Sequence, residues 1–376
     1  MPGECFRFDA ATEARNLTRP PDGLIEGHFP SLPWYLDDLC LEGFCGRHGA
    51  KRLATRLELP VDLGSWQSRH VLLALTRTGG TQTGDLLLGE EALQDALAAI
   101  ANPPDRIRGE DRTKRYPERA RAALDGEDVG SSPGGEQPKF TATVEEDGRR
   151  RAMLVKFAQP GAGEAAERWA DLLVCEHLAL QTLRDAGMDA AFSALIRSET
   201  YTFLEVERFD RTPDVLGREG FVSLLALSSA FTGEATLEWG AAAALLQKQG
   251  WLTEESVQSM SRMHAFGRLI GNTDMHQGNV GLRLRDSGAL PMAPIYDMLP
   301  MSLAPSRTGV LRSPVPLATV APAGAGDLEH LRLAAPLAVD FWERVAGSEQ
   351  ILSASLRSLA AENASGVSIM ARRFGG

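Results

Sequence analysis

The sequence has few cysteines, and their spacing is not that of a metal site. Its 376 residues include four cysteines, none of which forms a CxxC pair or stands in a cluster of histidines. A structural zinc site needs four convergent ligands, usually cysteine and histidine. The composition therefore disfavours a zinc centre, and free thiols are the better interpretation.

Long apolar runs and an excess of positive charge are also missing. No stretch approaches the roughly 18 apolar residues that span a bilayer, and the N-terminal MPGECFRFDA lacks the basic and apolar regions of a signal peptide. We therefore expect a cytoplasmic protein without membrane contact. The net charge of −11 and the aromatic content of 6% disfavour broad attraction to phosphate backbones and stacking on single strands. Any contact with nucleic acid is expected to be indirect.

What is present is the composition of a folded protein with room for more than one lobe. Hydrophobic residues make up 43% and charged residues 24%, as in ordinary globular proteins. Residues 1–100 are predicted to form a small N-terminal subdomain, 101–210 a strand-rich lobe and 211–376 a helix-rich lobe. The expected fold class is α+β, and the polar motifs fall near the junction between lobes, where ligands usually bind.

Local patterns predict the main elements of these lobes. Alternating residues at 140–157 around Gly148 predict a hairpin. An amphipathic helix is predicted from about residue 164 to Gly187, a typical C-cap. Segment 221–270 is predicted to be mainly helical, and helices return from about residue 325.

The segment 101–138 differs from its surroundings, because it is charged and punctuated by proline and glycine. It contains a cluster of basic residues that could contact nucleic acid. Since acidic residues are interleaved with them, a solvated helix face is the favoured interpretation. The basic residues are Arg106, Arg108, Arg112, Lys114, Arg115, Arg119 and Arg121.

The strongest polar motif is the run Asn272–Asn279, which joins an apolar helix to an apolar strand. Asp274 is followed five residues later by Asn279, which is the Asp-x-x-x-x-Asn spacing of a protein-kinase catalytic loop. There the carboxylate orients the attacking hydroxyl and the amide oxygen helps to hold Mg²⁺. The alternative is a capped turn, since these residue types favour turns for local reasons.

A second carboxylate, Asp297, follows about twenty residues later in a proline-terminated segment. Kinases place their metal-binding aspartate at a similar distance after the catalytic loop. A single aspartate in such a segment is usually a turn residue. In combination with Asp274 and Asn279, it is interpreted as a metal ligand.

Lys156 lies among apolar residues on a predicted strand, and Glu176 lies on the apolar side of the helix that follows. A kinase lysine in this position contacts phosphates and pairs with a helix glutamate. The alternative for Lys156 is an edge-strand residue that promotes solubility.

A glycine-rich stretch at 130–139 could surround phosphates with backbone N–H groups. It is not a Walker A loop, because the GK[ST] sequence is missing. It also matches the G-x-S-x-G motif of serine hydrolases. That motif requires a strand before it and a helix after it, and neither is predicted here.

Four motifs in order resemble the HipA-like serine/threonine kinases, the toxin component of bacterial type II toxin–antitoxin systems. They are S-x-G-G-x-Q-x-K from Ser132 to Lys139, the segment Val206–Arg211, NTD-x-H-x-x-N in Asn272–Asn279, and Tyr296-Asp297. The resemblance extends from about Leu32 to about Leu303. It implies a bilobal, atypical protein-kinase-like α+β fold. The conventional HRD and DFG triplets are absent, as they are in the family.

The resemblance also implies that ATP and Mg²⁺ are the cofactors, and it assigns roles by position. Asp274 would act on the acceptor hydroxyl, His276 would help to shape the loop or take part in catalysis, and Asn279 and Asp297 would hold Mg²⁺. The loop residues Gly134, Gly135, Gln137 and Lys139 would cover the phosphates, and Lys156, paired with Glu176, would bind them. The backbone of Glu207 to Phe209 would hold the adenine, and Tyr296 would also belong to the nucleotide site.

Ser132 falls where relatives autophosphorylate, and Ser131 is an adjacent competitor. The partners implied are a protein substrate, by analogy an aminoacyl-tRNA synthetase, and a small helix-turn-helix antitoxin. Two alternatives stay open. One is a small-molecule kinase on a related scaffold, and the other is a regulatory module with a catalytically dead kinase fold.

Overall fold

The computed structural model describes residues 6–8, 27–29, 32–40, 53–78, 82–125, 137–285, 288–306, 308–311 and 320–375. Most of the strands lie in the first half of this part of the chain, and the second half is mainly helical.

The strand-rich lobe is built on a five-stranded sheet whose order is β3-β4-β5-β7-β6. Its strands are β3 (Arg106–Arg108), β4 (Lys139–Glu146), β5 (Arg149–Ala158), β6 (Ser193–Arg197) and β7 (Thr202–Glu207). The strands pair antiparallel except for β3 and β4, which are parallel. A separate two-stranded pair near the N-terminus consists of β1 (Phe6–Phe8) and β2 (Gly27–Phe29).

The predicted hairpin is β4–β5. Its two-residue turn consists of Asp147 and Gly148, whose φ angles are 51° and 74°. Two consecutive residues at positive φ form the type of turn that matches the twist of paired strands. This turn determines the register, in which Lys139 lies opposite Lys156.

The predicted long helix is also present, as α4 (Glu164–Asp185). The chain turns away from the helix at Gly187, whose φ is 76°, and the N–H of Met188 donates to the carbonyl of Leu183 at 3.0 Å. One face of α4 is fully buried and includes Leu172, Leu173 and Glu176. The helix therefore places a buried carboxylate next to the sheet.

The charged segment before β4 forms β3 and a helix, α3 (Arg112–Leu124). Arg115 and Arg121 are exposed on α3, as predicted for a solvated face. The interpretation is wrong for Arg112, which donates to Glu205 at 3.1 Å and to Glu146 at 2.7 Å. The carboxylate of Glu205 is fully buried beneath α3, and its charge draws Arg112 inward.

The helical lobe shares one large core with the long helix of the other lobe. Its helices are α5 (Leu224–Phe231), α6 (Trp239–Lys248), α7 (Glu254–Leu269), α8 (Ala325–Gly347) and α9 (Ala354–Gly375). The prediction of a helical tail is confirmed. Within the described residues, no helix is long and apolar enough to cross a membrane.

The prediction of helix from residue 221 is wrong for the first three residues. Phe221–Ser223 form a strand, β8, which pairs antiparallel with β9 (Gly281–Arg283). The side chain of Ser223 accepts a hydrogen bond from the N–H of Ala226 at 3.1 Å, so it caps α5 and sets the start of the helix at Leu224.

The N-terminal part contributes a 3₁₀ helix (Trp34–Leu39) and the helices α1 (Ser68–Leu75) and α2 (Gly89–Ala101). The ring of Trp34 packs edge-on against Phe231 at 5.4 Å and Trp251 at 5.8 Å. This part of the chain therefore contacts the helical lobe directly.

Candidate active site

A cleft with a cavity volume of about 400 Å³ lies where the two lobes and the N-terminal part meet. Its walls include Lys139 and Lys156 from the sheet, and Asn279 and Asp297 from the helical lobe. Cavities that bind small molecules measure about 300–1,000 Å³. The cleft therefore has the size and the charged lining of a ligand site.

A buried ion pair connects the sheet to the long helix at the inner end of this cleft. The Nζ atom of Lys156 donates to both carboxylate oxygens of Glu176, at 2.7 and 2.8 Å. Lys156 is 3% exposed and Glu176 is 0% exposed. The contact expected from the sequence is thus formed, with Glu176 behind Lys156.

Asp297 is the third member of this cluster, since its carboxylate also accepts from Lys156. Its φ of 52° lies in the left-handed region, which costs energy for a residue with a side chain. The preceding segment is held by two backbone hydrogen bonds, from Ile295 to Asp189 and from Ala191 to Ile295, each 2.9 Å long. These contacts fix the strained residue beside Lys156.

The electrostatics of the cluster follow from burial and proximity. Burial by itself would lower the pKa of Lys156, but Asp297 and Glu176 outweigh burial and hold that pKa above its ordinary value. Burial would raise the pKa of Asp297, but Lys156 and Lys139 hold it below its ordinary value. Burial raises the pKa of Glu176, and Lys156 opposes that shift. Lys156 is therefore held in its charged form.

The loop after α7 is closed by its own amide side chains. Asn272 accepts from the N–H of Asp274 at 3.0 Å and donates to the carbonyl of Asp297 at 3.4 Å. Asn279 donates its amide to the carbonyl of Asp274 at 2.8 Å. The backbones of Asp274 and Asp297 are therefore both hydrogen-bonded to amide side chains of this loop.

The carboxylate of Asp274 is 55% exposed and does not line the cleft, whereas the neighbouring His276 does. His276 is next to it, with Nε2 3.9 Å from Oδ1 of Asp274. The Nδ1 atom of His276 accepts from the N–H of Gly278 at 3.1 Å, and this contact closes the turn before Asn279. The geometry of His276 is that of a residue that shapes the loop.

Two aromatic side chains line the cleft near the end of β7. The rings of Phe209 and Tyr296 lie 5.6 Å apart at an interplanar angle of 32°. The hydroxyl of Tyr296 donates to the carbonyl of Gly278 at 3.0 Å, which connects this surface to the polar loop. An apolar, planar surface of this kind suits a flat ring.

The backbone that the resemblance assigns to the adenine continues from β7. The N–H of Glu207 donates to Phe192 and the N–H of Arg208 donates to Ala152, each at 2.8 Å. Glu207 and Phe209 line the cleft. Gln137 precedes β4 and is partly buried, whereas Gly134, Gly135 and Ser132 lie outside the described residues.

Several residues of the cleft were not predicted from the sequence, because they lie in the part of the chain that was expected to form a separate subdomain. Asp37, Asp38, Cys40 and Thr83 line the cavity. Asp38 accepts from the N–H of Ser223 at 2.6 Å. The signal available in the sequence was the acidic pair within the apolar run LPWYLDDLCLEGF.

The donor set determines what cation the site could hold. Among the described residues, no group of three or more His, Cys, Asp or Glu side chains could form a metal site. On the side of the helical lobe, the cleft offers the carboxylate of Asp297 and the amide oxygen of Asn279. One or two protein ligands completed by phosphate oxygens and water are typical of Mg²⁺, so these residues fit Mg²⁺ carried by a nucleotide.

Comparison with known proteins identifies similar sequences along the chain. A family described as the HipA-like C-terminal domain matches residues 131–354, and one described as the YjjJ-like toxin, middle domain, matches residues 4–97. The toxin YjjJ of Escherichia coli (strain K12) is 40% identical over 342 residues, which cover 90% of this chain and 74% of that protein.

Two solved structures are also similar to this chain. HipA of Shewanella oneidensis MR-1, determined in complex with HipB and operator DNA, matches 91% of this chain and 84% of its own at 16% identity and a TM-score of 0.51. The proinflammatory kinase CtkA of Helicobacter pylori matches 65% of this chain and 93% of its own at 14% identity and a TM-score of 0.47. The likeness to HipA confirms the bilobal α+β fold of the HipA-like kinases that the sequence predicted.

The match to the HipA-like C-terminal domain spans more than half of the chain, and the similarity to the toxin YjjJ spans most of it. The chain therefore belongs to the family of HipA-like toxins.

Proposed function

We propose that the protein is an ATP- and Mg²⁺-dependent serine/threonine protein kinase, which transfers the γ-phosphate to a protein hydroxyl and phosphorylates itself. The observation that carries this proposal is the convergence of the buried pair Lys156 and Glu176 with the half-buried Asp297, beside the loop of Asp274 and Asn279. A lysine–glutamate pair next to a metal-binding aspartate is the arrangement that kinases require.

Different residues of the cleft are proposed to bind different parts of the nucleotide. The backbone from Glu207 to Phe209, together with the ring of Tyr296, holds the adenine at one end. Lys139 and Lys156 bind phosphate oxygens at the other end, where each is 3% exposed. Phosphate oxygens are good partners for buried ammonium groups, because the opposite charges offset the cost of burial.

Asp274 acts on the acceptor. Its exposed carboxylate orients the substrate hydroxyl and accepts its proton as the new oxygen–phosphorus bond forms. The bond between the γ-phosphorus and its bridging oxygen breaks, and ADP leaves with that electron pair. Mg²⁺ held by Asn279 and Asp297 would neutralise charge on the phosphates when bound.

The partners belong to the same proposal. The solved HipA structure is a complex with HipB and operator DNA. We therefore infer that this toxin pairs with a small helix-turn-helix antitoxin, and that its own contact with DNA is indirect. A protein of the translation machinery, by family analogy an aminoacyl-tRNA synthetase, is the proposed substrate, which places the activity in the cytoplasm.

Phosphoryl transfer tests the proposal directly. Purified protein is incubated with γ-labelled ATP and Mg²⁺, and the proteome is compared after expression of the wild type and of Asp274→Asn. We expect the purified wild type to label itself, and its expression to phosphorylate a small number of cellular proteins. Asp274→Asn should show neither effect. Binding of ATP without any transfer would indicate a regulatory module. Transfer to small molecules only would indicate a small-molecule kinase.

A further inference from the structure

The turn Gln82–Gly84, which belongs to the N-terminal part of the chain, reaches into the cleft. Thr83 lies at its centre and lines the cavity together with Glu207 and Phe209. The sequence predicted that this turn belongs to a separate subdomain. The structure instead makes it a wall of the proposed nucleotide site.

A buried cluster of charges holds the turn in place on one side. The N–H of Gly84 donates to Asp210 at 2.9 Å. The carbonyl of Gln82 accepts from Arg208 at 3.1 Å and from Arg211 at 2.7 Å. Asp210 also accepts from Arg208 at 2.8 and 3.0 Å and from Arg211 at 2.8 Å. Thr83 is therefore held by hydrogen bonds on both sides of it in the chain.

The charge state of this cluster suits a permanent structural role. Asp210 is 5% exposed, and burial alone would raise its pKa. Arg208 and Arg211 outweigh burial and hold that pKa well below its ordinary value. Asp210 therefore stays ionised and keeps its bond to Gly84 across the physiological pH range.

The turn is also held on the other side, by close packing. Gly84 has a φ of +72°, and a Cβ atom there would lie 3.3 Å from the backbone nitrogen of Phe221. Phe221 lines the cleft as well, and its ring lies 5.8 Å from that of Phe209. Glycine is suited to this position because it adopts positive φ without strain and permits the close approach.

We propose that Thr83 hydrogen-bonds the bound nucleotide at its base and sugar end, so that the N-terminal part of the chain contributes to ATP affinity. This end of the nucleotide is inferred from the hydrogen bonds of the turn to Arg208, Asp210 and Arg211, which lie within or just after the backbone that is proposed to hold the adenine. The phosphate end is marked by Lys156 and Asp297. A threonine hydroxyl can donate to or accept from a sugar hydroxyl or a base edge. The inference rests on the proposed function.

Binding of ATP to variants of Thr83 tests the contact itself. Thr83→Val removes the hydroxyl at nearly constant volume, and Thr83→Ser keeps it. Loss of one hydrogen bond corresponds to a roughly threefold to tenfold weaker Kd for ATP in Thr83→Val. We expect Thr83→Ser to stay within about twofold of the wild type. Because the contact is remote from the reacting atoms, KM for ATP should rise while kcat is unchanged.

A second pair of variants tests the anchor. Asp210→Asn weakens the hold on the turn, and Asp327→Asn is its matched control. Asp327 also accepts from an arginine, Arg268 at 2.8 Å, and from a backbone N–H, that of Ala323 at 2.8 Å, but it lies outside the cleft. Both variants should melt at a lower temperature, and only Asp210→Asn should bind ATP more weakly.

The outcomes separate the two proposals. If the wild type binds ATP and Thr83→Val binds it equally well, the inference is overturned and the proposed function stands. Equal ATP affinity in Asp210→Asn and Asp327→Asn would also overturn the inference. A wild type that does not bind ATP would overturn the proposed function, and the inference with it.

Discussion

Replacing Lys156 by methionine removes the ammonium group that is hydrogen-bonded to a fully buried carboxylate. Glu176 is 0% exposed, and Lys156 contacts both of its oxygens. Loss of one partner of a buried pair usually costs about 3–5 kcal/mol, because the other charge stays buried. We expect a loss of this size in the free energy of unfolding at pH 8.

The loss should depend on pH, because the carboxyl can escape the penalty by binding a proton. A glutamate with an unfolded pKa of about 4.3 is protonated at a cost of about 5 kcal/mol at pH 8 and about 1.6 kcal/mol at pH 5.5. Burial raises the folded pKa of Glu176, and the loss of Lys156 removes the group that opposes this shift. For an acid with a raised folded pKa, stability decreases as pH rises above the unfolded pKa. The variant should therefore lose about 3–5 kcal/mol at pH 8 and about 1.5 kcal/mol at pH 5.5.

Urea unfolding at the two pH values, followed by tryptophan fluorescence, measures this difference. The double variant Lys156→Met, Glu176→Leu removes both charges and should recover most of the stability, but not ATP binding. Arg344→Met is a control, since it breaks a partly exposed ion pair with Asp185 and should cost about 1 kcal/mol or less. A loss below about 1 kcal/mol at pH 8, or equal losses at both pH values, would refute this reasoning.

Four further predictions follow from the site and from the fold. Mg²⁺-ATP should stabilise the protein by about 2.7 kcal/mol at a hundredfold excess over Kd, seen as a higher Tm; no shift at millimolar ligand would contradict the nucleotide site. Asp274→Asn should keep ATP binding and lose phosphoryl transfer, and transfer at the wild-type rate would exclude Asp274 as the group that acts on the hydroxyl. Ser132, in preference to Ser131, should carry phosphate after incubation with Mg²⁺-ATP and weaken ATP binding, with Asp274→Asn as the unlabelled control in mass spectrometry. Asp171→Ala should cost about 1–3 kcal/mol in urea unfolding, because the buried Asp171 accepts from the N–H groups of Leu352 and Ser353 at 2.6 and 3.1 Å before α9. Asp340→Ala should cost less, because the side chain of Asp340 is half-exposed.

Elements with a strong local cause were predicted correctly. The β4–β5 hairpin depends on Asp147 and Gly148, and the end of α4 depends on Gly187. Positive φ is a property of the residue and its neighbours, so it can be inferred without knowledge of the fold.

Errors arose where a distant residue decides the local structure. The apolar residues Phe221–Ser223 were predicted to be helical. They form a strand because they pair with β9, which lies about sixty residues later in the chain. Arg112 has the local sequence of an exposed residue, but the buried carboxylate of Glu205 draws it inward. Neither partner can be identified from the surrounding sequence.

For the site, the spacing of Asp274, Asn279 and Asp297 and the apolar surroundings of Lys156 determined which residues carry the proposed chemistry, because kinase-like loops require those residue types in that order. Only the tertiary structure decided that Thr83 and Asp38 line the same cleft. Their position depends on hydrogen bonds to Asp210 and Ser223, more than a hundred residues further along the chain. Contacts across such distances leave no periodicity or motif in the sequence, and they exist only once the lobes have packed together.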